Sequence, residues 1–316
     1  MAYYADCHVS VVRILCETIT TMYNNHMRLA IFAKTFAGPT LADILTAVRA
    51  AGVAAVQFNL SCVGLPTLPA HLDRAQCATI RATFAAHGVH MVALSATGNL
   101  IHPDMAVRTQ IITRITQLIP HCVDLGVDTV TISTGTCDPD DLWRAHPANT
   151  TQASWDAMVT AVRELVDVAA CHGVIVAFEP EPGNVVQTVQ QARLLLDQIS
   201  SPFLKVVLDV ANLLTPATVA HQRTIIAEAL QLLGSDIAVV HAKELGRDGQ
   251  VGGVPAGSGV VDFGYLLTKL AAIHYAGPVV IHGLDAKDAP RAVAHLQQLF
   301  VGLSPTAQEF FFKKYT

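Results

Sequence analysis

The chain repeats one unit along its length. Short apolar runs rich in β-branched residues alternate with longer stretches of helical spacing, each pair filling roughly 30–40 residues. The runs are RLAIFAK (28–34), AAVQFNL (54–60), VHMVALSA (89–96), VDTVTIST (127–134), VIVAFEPE (174–181), LKVVLDV (204–210), IAVVHAKE (237–244) and PVVIHGL (278–284). Runs this short and this apolar read as strands buried on both faces, the signature of a parallel sheet. The intervening helices are predicted at 39–52, 73–88, 105–125, 151–172, 189–199, 216–233, after Asp262 and at 289–300. Several end at glycine, and Pro120 predicts a kink or break in the third. Eight such units predict an α/β fold, a single (β/α)8 TIM barrel. A doubly wound open sheet is the alternative, but it lacks its opening Gly-rich dinucleotide fingerprint.

Length and composition agree with one barrel. The 316 residues are 52% hydrophobic and 14% charged, so a large core is available and disorder is excluded. The barrel is predicted over 27–303, with an N-terminal extension at 1–26 and a C-terminal tail at 304–316. The apolar segment Val9 to Leu15 is interrupted by Ser10 and Arg13, which does not make a signal peptide, and translation starting at Met27 is an open reading. No stretch has the length of a membrane helix. A net charge of -5 argues against a nucleic-acid partner. Seven cysteines without a CxxC pair predict reduced thiols in a cytoplasmic protein.

Four of the strands close on polar side chains: Glu179, Asp209, His241 and His282. In a parallel barrel all strand ends open onto one face, so two carboxylates and two imidazoles meet there. A buried carboxylate needs a cation or strong donors opposite it, which makes these four a candidate divalent-metal site. Imidazole donors favour Zn, Fe, Ni or Mn over Mg or Ca. Taken singly, Asp209 also reads as a helix N-cap and His241 as a rim residue. Glu181 lies two residues beyond Glu179 and points the same way, as a substrate contact or into solvent. Asn99 and His102 follow the third strand; Arg144 and His146, beside Trp143, follow the fourth, in loops able to bind a polar ring or simply to pack on themselves. The run Gly252 to Gly259 is either a phosphate-wrapping loop, a flap or a plain connector.

AFEPEPGN around Glu179, VVLDVANL around Asp209, VVHAKELGRDG around His241 and VPAGSGVVDF at 254–263 together resemble the xylose isomerase-like barrels of sugar and sugar phosphate isomerases and epimerases. The likeness spans 28–300. It implies a metal-dependent isomerase or epimerase in which Mn, Zn, Co or Mg chelates adjacent oxygens of a sugar. A carboxylate then moves a proton through a cis-enediolate. It further implies that Glu179, Asp209 and His241 are ligands, that Glu179 is also the base, and that Arg247 orients substrate. Asn212 stands where many members carry histidine, and Lys243 lies beside the ligand set. His282 replaces the usual fourth glutamate, as ligand or second acid/base. Losing that carboxylate favours one-base isomerisation, or a lyase or dehydratase acting on a keto sugar or inositol-like substrate, over two-base epimerisation. A non-catalytic sugar-binding barrel and a homo-oligomer are also compatible with the chain.

Overall fold

The structure is a computed structural model that describes residues 27–303; the predicted extension and tail lie outside the described residues. Eight parallel strands close into a barrel: β1 (Arg28–Phe32), β2 (Ala55–Phe58), β3 (His90–Ser95), β4 (Thr129–Ser133), β5 (Ile175–Glu179), β6 (Leu204–Asp209), β7 (Ile237–Ala242) and β8 (Pro278–Ile281). β1 pairs with both β2 and β8, which leaves no sheet edge. The helices are α1 (Leu41–Ala50), α2 (Arg74–Ala86), α3 (Met105–Leu125), α4 (Gln152–His172), α5 (Val189–Ile199), α6 (Gln222–Leu233), α7 (Phe263–Ala272) and α8 (Ala289–Gly302). None among the described residues is long and apolar enough to cross a membrane.

Local sequence sets the element ends. Thr40 with Asp43, Asp73 with Gln76, and Thr188 with Gln191 form capping boxes that begin α1, α2 and α5. Gly126 and Gly173 end α3 and α4 in the left-handed conformation that a side chain would strain. Two predictions need correcting. α3 runs unbroken through Pro120, because its inner face (Ile115, Leu118, Ile119, Cys122, Leu125) is buried and outweighs one lost backbone hydrogen bond. α6 begins at Gln222 rather than near Pro216. Reciprocal hydrogen bonds between Thr215 and Thr218 make a turn that competes with helix.

The core has two parts. Large apolar side chains fill the space between strands and helices, with Phe58, Phe178, Leu94, Ile119 and Leu165 fully buried. Inside the barrel sits a separate cluster of small residues: Ala30, Ala55, Ala93, Ala177, Val207, Val239 and Val280. A closed barrel of eight strands has room for little more. We predict that Ala30→Leu overpacks this layer and lowers stability by about 1–3 kcal/mol in urea unfolding. An unchanged midpoint would mean the interior is not packed as described.

Candidate metal centre

Side chains on a strand alternate between faces, so a residue two positions beyond an inward one also points inward. Applied to the interior cluster, that step runs from Ala30 to Phe32, Ala55 to Gln57, Ala93 to Ser95, Ala177 to Glu179, Val207 to Asp209, Val239 to His241, and Val280 to His282. Thr131 of β4 joins the same layer through its hydrogen bond from Gln57. Directly above the apolar filling, the barrel therefore carries a polar layer at the C-terminal ends of its strands, where the active sites of such barrels lie.

Glu179, Asp209 and His241 form its centre. Each offers one donor atom, and the three atoms lie within 4.8 Å of one another. His241 Nδ1 is 3.2 Å from Glu179 Oε1 and 3.9 Å from Asp209 Oδ2. The other ring nitrogen, Nε2, lies 2.9 Å from Gln57 Oε1, and Gln57 Nε2 donates to Thr131 Oγ1 at 3.2 Å. Gln57 Oε1 can only accept, so Nε2 donates to it; Glu179 Oε1 likewise only accepts, so Nδ1 also carries a proton there and would give it up to a cation. Gln57 was not among the residues singled out from the sequence, although its position two beyond Ala55 marks it.

The donor set fits a divalent cation. Asp209 is buried; its Oδ1 accepts from Ala211 N at 3.0 Å, so the N-cap reading holds for one oxygen. Its Oδ2 is paired with the Lys243 ammonium at 2.8 Å and lies 3.9 Å from His241 Nδ1. Three carboxylates, Glu179, Glu181 and Asp209, share the pocket with the single ammonium of Lys243. Burial pushes the Glu181 carboxyl up to about 7, and the neighbouring Glu179 charge adds to it. Burial alone would raise Glu179 too, but the His241 charge and hydrogen bond, then Lys243, override it and hold that group at about 2. Burial opposes the charge on Lys243, yet Asp209, Glu179 and Glu181 outweigh it and keep the ammonium protonated. With three carboxylates gathered around one ammonium and an imidazole nitrogen turned toward them, the pocket suits a metal ion.

Of the four strand-end residues, His282 stands apart. Its ring lies edge-on to Phe32, with centroids 5.3 Å apart, and 5.0 Å from the His241 ring. The three-residue donor cluster does not include it. Burial, then the charge of His241, lowers it to about 3, so it is a neutral imidazole. Asn212 bridges the carboxylates and the ammonium: its Nδ2 donates to Glu179 Oε1 at 3.0 Å, and its Oδ1 accepts from Lys243 at 2.8 Å.

The loop residues divide differently. Asn99 is buried and holds the β4 loop, donating to Thr136 O at 2.8 Å and accepting from Thr136 N at 3.0 Å. His102 Nε2 donates to Pro139 O at 3.0 Å. Arg144 pairs with Asp138 at 3.2 Å, and His146 Nδ1 accepts from Ala148 N at 3.2 Å. These four residues pack the loop on itself rather than joining the centre. The loop in turn braces the segment after β5: Asn149 donates to Gly183 O, and the buried Asn184 accepts from Gly135 N and donates to Leu142 O. Arg247 is exposed, at the tip of a loop closed by the Leu245–Val251 bridge.

Glu244 explains the glycine-rich run. Its buried carboxylate accepts from the backbone N–H groups of Leu245, Gly257, Val260 and Val261 at 2.9–3.1 Å. Gly252 N donates to Glu244 O and Gly253 N to Gly283 O. The run is thus tied down over the end of β8, and its amides are not a free phosphate cradle. Gly259 is required because a Cβ there would meet the Glu244 side chain at 2.5 Å.

Residues 45–299 match the family described as xylose isomerase-like TIM barrel. No curated protein sequence matches the chain. Solved structures share the architecture at low identity. An L-ribulose 3-epimerase superposes with a TM-score of 0.67 at 19% identity, covering 92% of this chain and 99% of that one. The 3-keto-D-glucoside 4-epimerase YcjR from E. coli gives 0.67 at 16%, covering 86% and 99%. The IOLI protein with a bound zinc atom gives 0.66 at 19%, covering 90% and 100%. At these identities the superpositions establish the barrel, while the family match spans most of the sequence. The chain is a member of the xylose isomerase-like TIM barrel family.

Proposed function

We propose that this protein is a divalent-metal-dependent isomerase or epimerase of a small ketose, moving a proton at a carbon next to a carbonyl. The observation that carries this reading is the convergence of donor atoms from Glu179, Asp209 and His241 at the open end of the barrel. A cation held by these three residues would supply Lewis-acid polarisation of neighbouring substrate oxygens. The remaining work falls to the chain. Gln57 holds Nε2 and fixes the His241 ring, so that Nδ1, on releasing its proton, would be the nitrogen turned to the cation. Glu179 Oε1 accepts from Asn212 and would also hold the cation, which leaves Oε2 to accept the carbon-bound proton and return it to the adjacent carbon. Lys243 places a fixed positive charge in the pocket, offsetting negative charge that grows on a substrate oxygen.

The epimerase neighbours for L-ribulose and D-allulose support a ketose, and the zinc-bound neighbour supports the metal. The engaged amides of the glycine-rich run favour a sugar without phosphate. At the end of β8 there is an imidazole instead of a second carboxylate, which favours transfer by one base on one face of the substrate. Abstraction of that proton followed by β-elimination is the second reading, and it differs in its product.

Two experiments address this site. The manganese-loaded full chain, incubated with a panel of ketoses in deuterated water, is expected to place one deuterium on its substrate. Glu179→Gln should slow the exchange by roughly 10²–10⁴-fold. Exchange that survives the substitution would remove Glu179 as the base, and an unsaturated product would establish the lyase. Separately, Gln57→Leu should weaken zinc binding by about 10–100-fold in chelator competition while leaving the circular dichroism spectrum unchanged. Unaltered affinity would show that the Gln57–His241 bond does not set the ligand.

A further inference from the structure

A second convergence of donor groups lies away from the strand ends, on the helix layer. Cys77 of α2 and His121 and Asp124 of α3 each offer one donor atom, and these three atoms also lie within 4.8 Å of one another. His121 and Asp124 stand three apart on one helix and so share a face, with Nδ1 and Oδ2 3.1 Å apart. A tetrahedral ion with bonds of roughly 2.0–2.1 Å needs nitrogen–oxygen edges of about 3.3 Å, close to that spacing. Cys77 comes from the neighbouring helix and is fully buried, whereas the His121 and Asp124 side chains are 23% and 27% exposed. The group is therefore sulfur-lined on its inner side and open on its outer side.

We propose that Cys77, His121 and Asp124 form a second cation site, selective for a thiophilic divalent ion of the zinc type. One sulfur, one imidazole nitrogen and one carboxylate oxygen form a borderline-soft donor set, suited to zinc or cobalt and poorly suited to magnesium or calcium. Three protein ligands leave a fourth position, and a cleft of ≈ 480 Å³ lined by Arg74, Ala78, Arg81, Val123 and Asp124 gives water access to it. Arg74 competes only weakly: its Nε lies 3.6 Å from Asp124 Oδ1 on a side chain that is 88% exposed. Burial pushes the Cys77 thiol up to about 11, and the charges of Asp124 and Asp73 add to it, so the sulfur is a protonated, inert thiol unless a cation compensates those charges. The barrel centre contains no sulfur, so the two sites differ in a property that spectroscopy reads directly.

The test is a titration of the reduced, chelator-treated full chain with cobalt(II) chloride. One thiolate-to-cobalt charge-transfer band is expected, saturating at one equivalent per band-forming site. It should vanish in Cys77→Ser and lose about tenfold or more in affinity in His121→Gln, a change at a partly exposed position that leaves the core intact. Glu179→Gln should leave the band unaltered. Absence of the band in the wild-type chain, its survival in Cys77→Ser, or its indifference to His121→Gln would each overturn the assignment.

Discussion

The His241 imidazole is the fixed point of the barrel's open end. It is held from below by Gln57 Oε1 at 2.9 Å and faces Glu179 Oε1 at 3.2 Å, so one ring joins β2, β5 and β7. Burial would strip it of charge, but the Glu179 and Asp209 carboxylates favour its protonated form. Those carboxylates in turn depend on positive partners, because burying them bare would be far more costly than any packing gain. Lys243 meets part of the need and is itself clasped by Asn212 and Asp209. What is left is a carboxylate oxygen, Asp209 Oδ2, that faces His241 Nδ1 and meets no donor besides Lys243 among the described residues.

The barrel was legible because its signal is periodic. Eight β-branched runs separated by helical stretches leave little room for another architecture, and each run became a strand within three residues of its expected limits. The centre was legible for a related reason: a charged side chain closing an apolar strand has few places to go. Where reading from sequence fell short, the information was three-dimensional. Gln57 sits mid-run in AAVQFNL and looks like an interruption until the barrel closes and sets it beneath a histidine 184 positions away. Glu244 appears as one more charge after His241, yet it organises a whole loop by accepting from four backbone amides. The loops after β3 and β4, rich in Asn, His and Arg, brace the segment that carries Glu181 through Asn149, Asn184 and Gly135. Whether a polar loop packs on itself or on a ligand depends on partners that no spacing reveals.

His282 gives one side of the pocket a different character. With a neutral imidazole packed against Phe32, the end of β8 contributes shape and an uncharged ring. The glycine-rich run seats on that same end: Gly252 lies against Gly283, and Gly283 leaves room for the Lys243 side chain. An uncharged ring and a tethered loop thus line one side of the pocket, while the opposite side carries the carboxylates. That asymmetry is the physical reason to prefer chemistry with one base.

The central claim is that a single divalent ion sits among Glu179, Asp209 and His241. Anomalous diffraction from crystals of the full chain soaked in manganese(II) tests it most directly. The account predicts one strong peak in contact with those three residues, with the His282 ring remaining against Phe32. A barrel without a peak at that position, or a peak that His282 holds in place of Asp209, would contradict it.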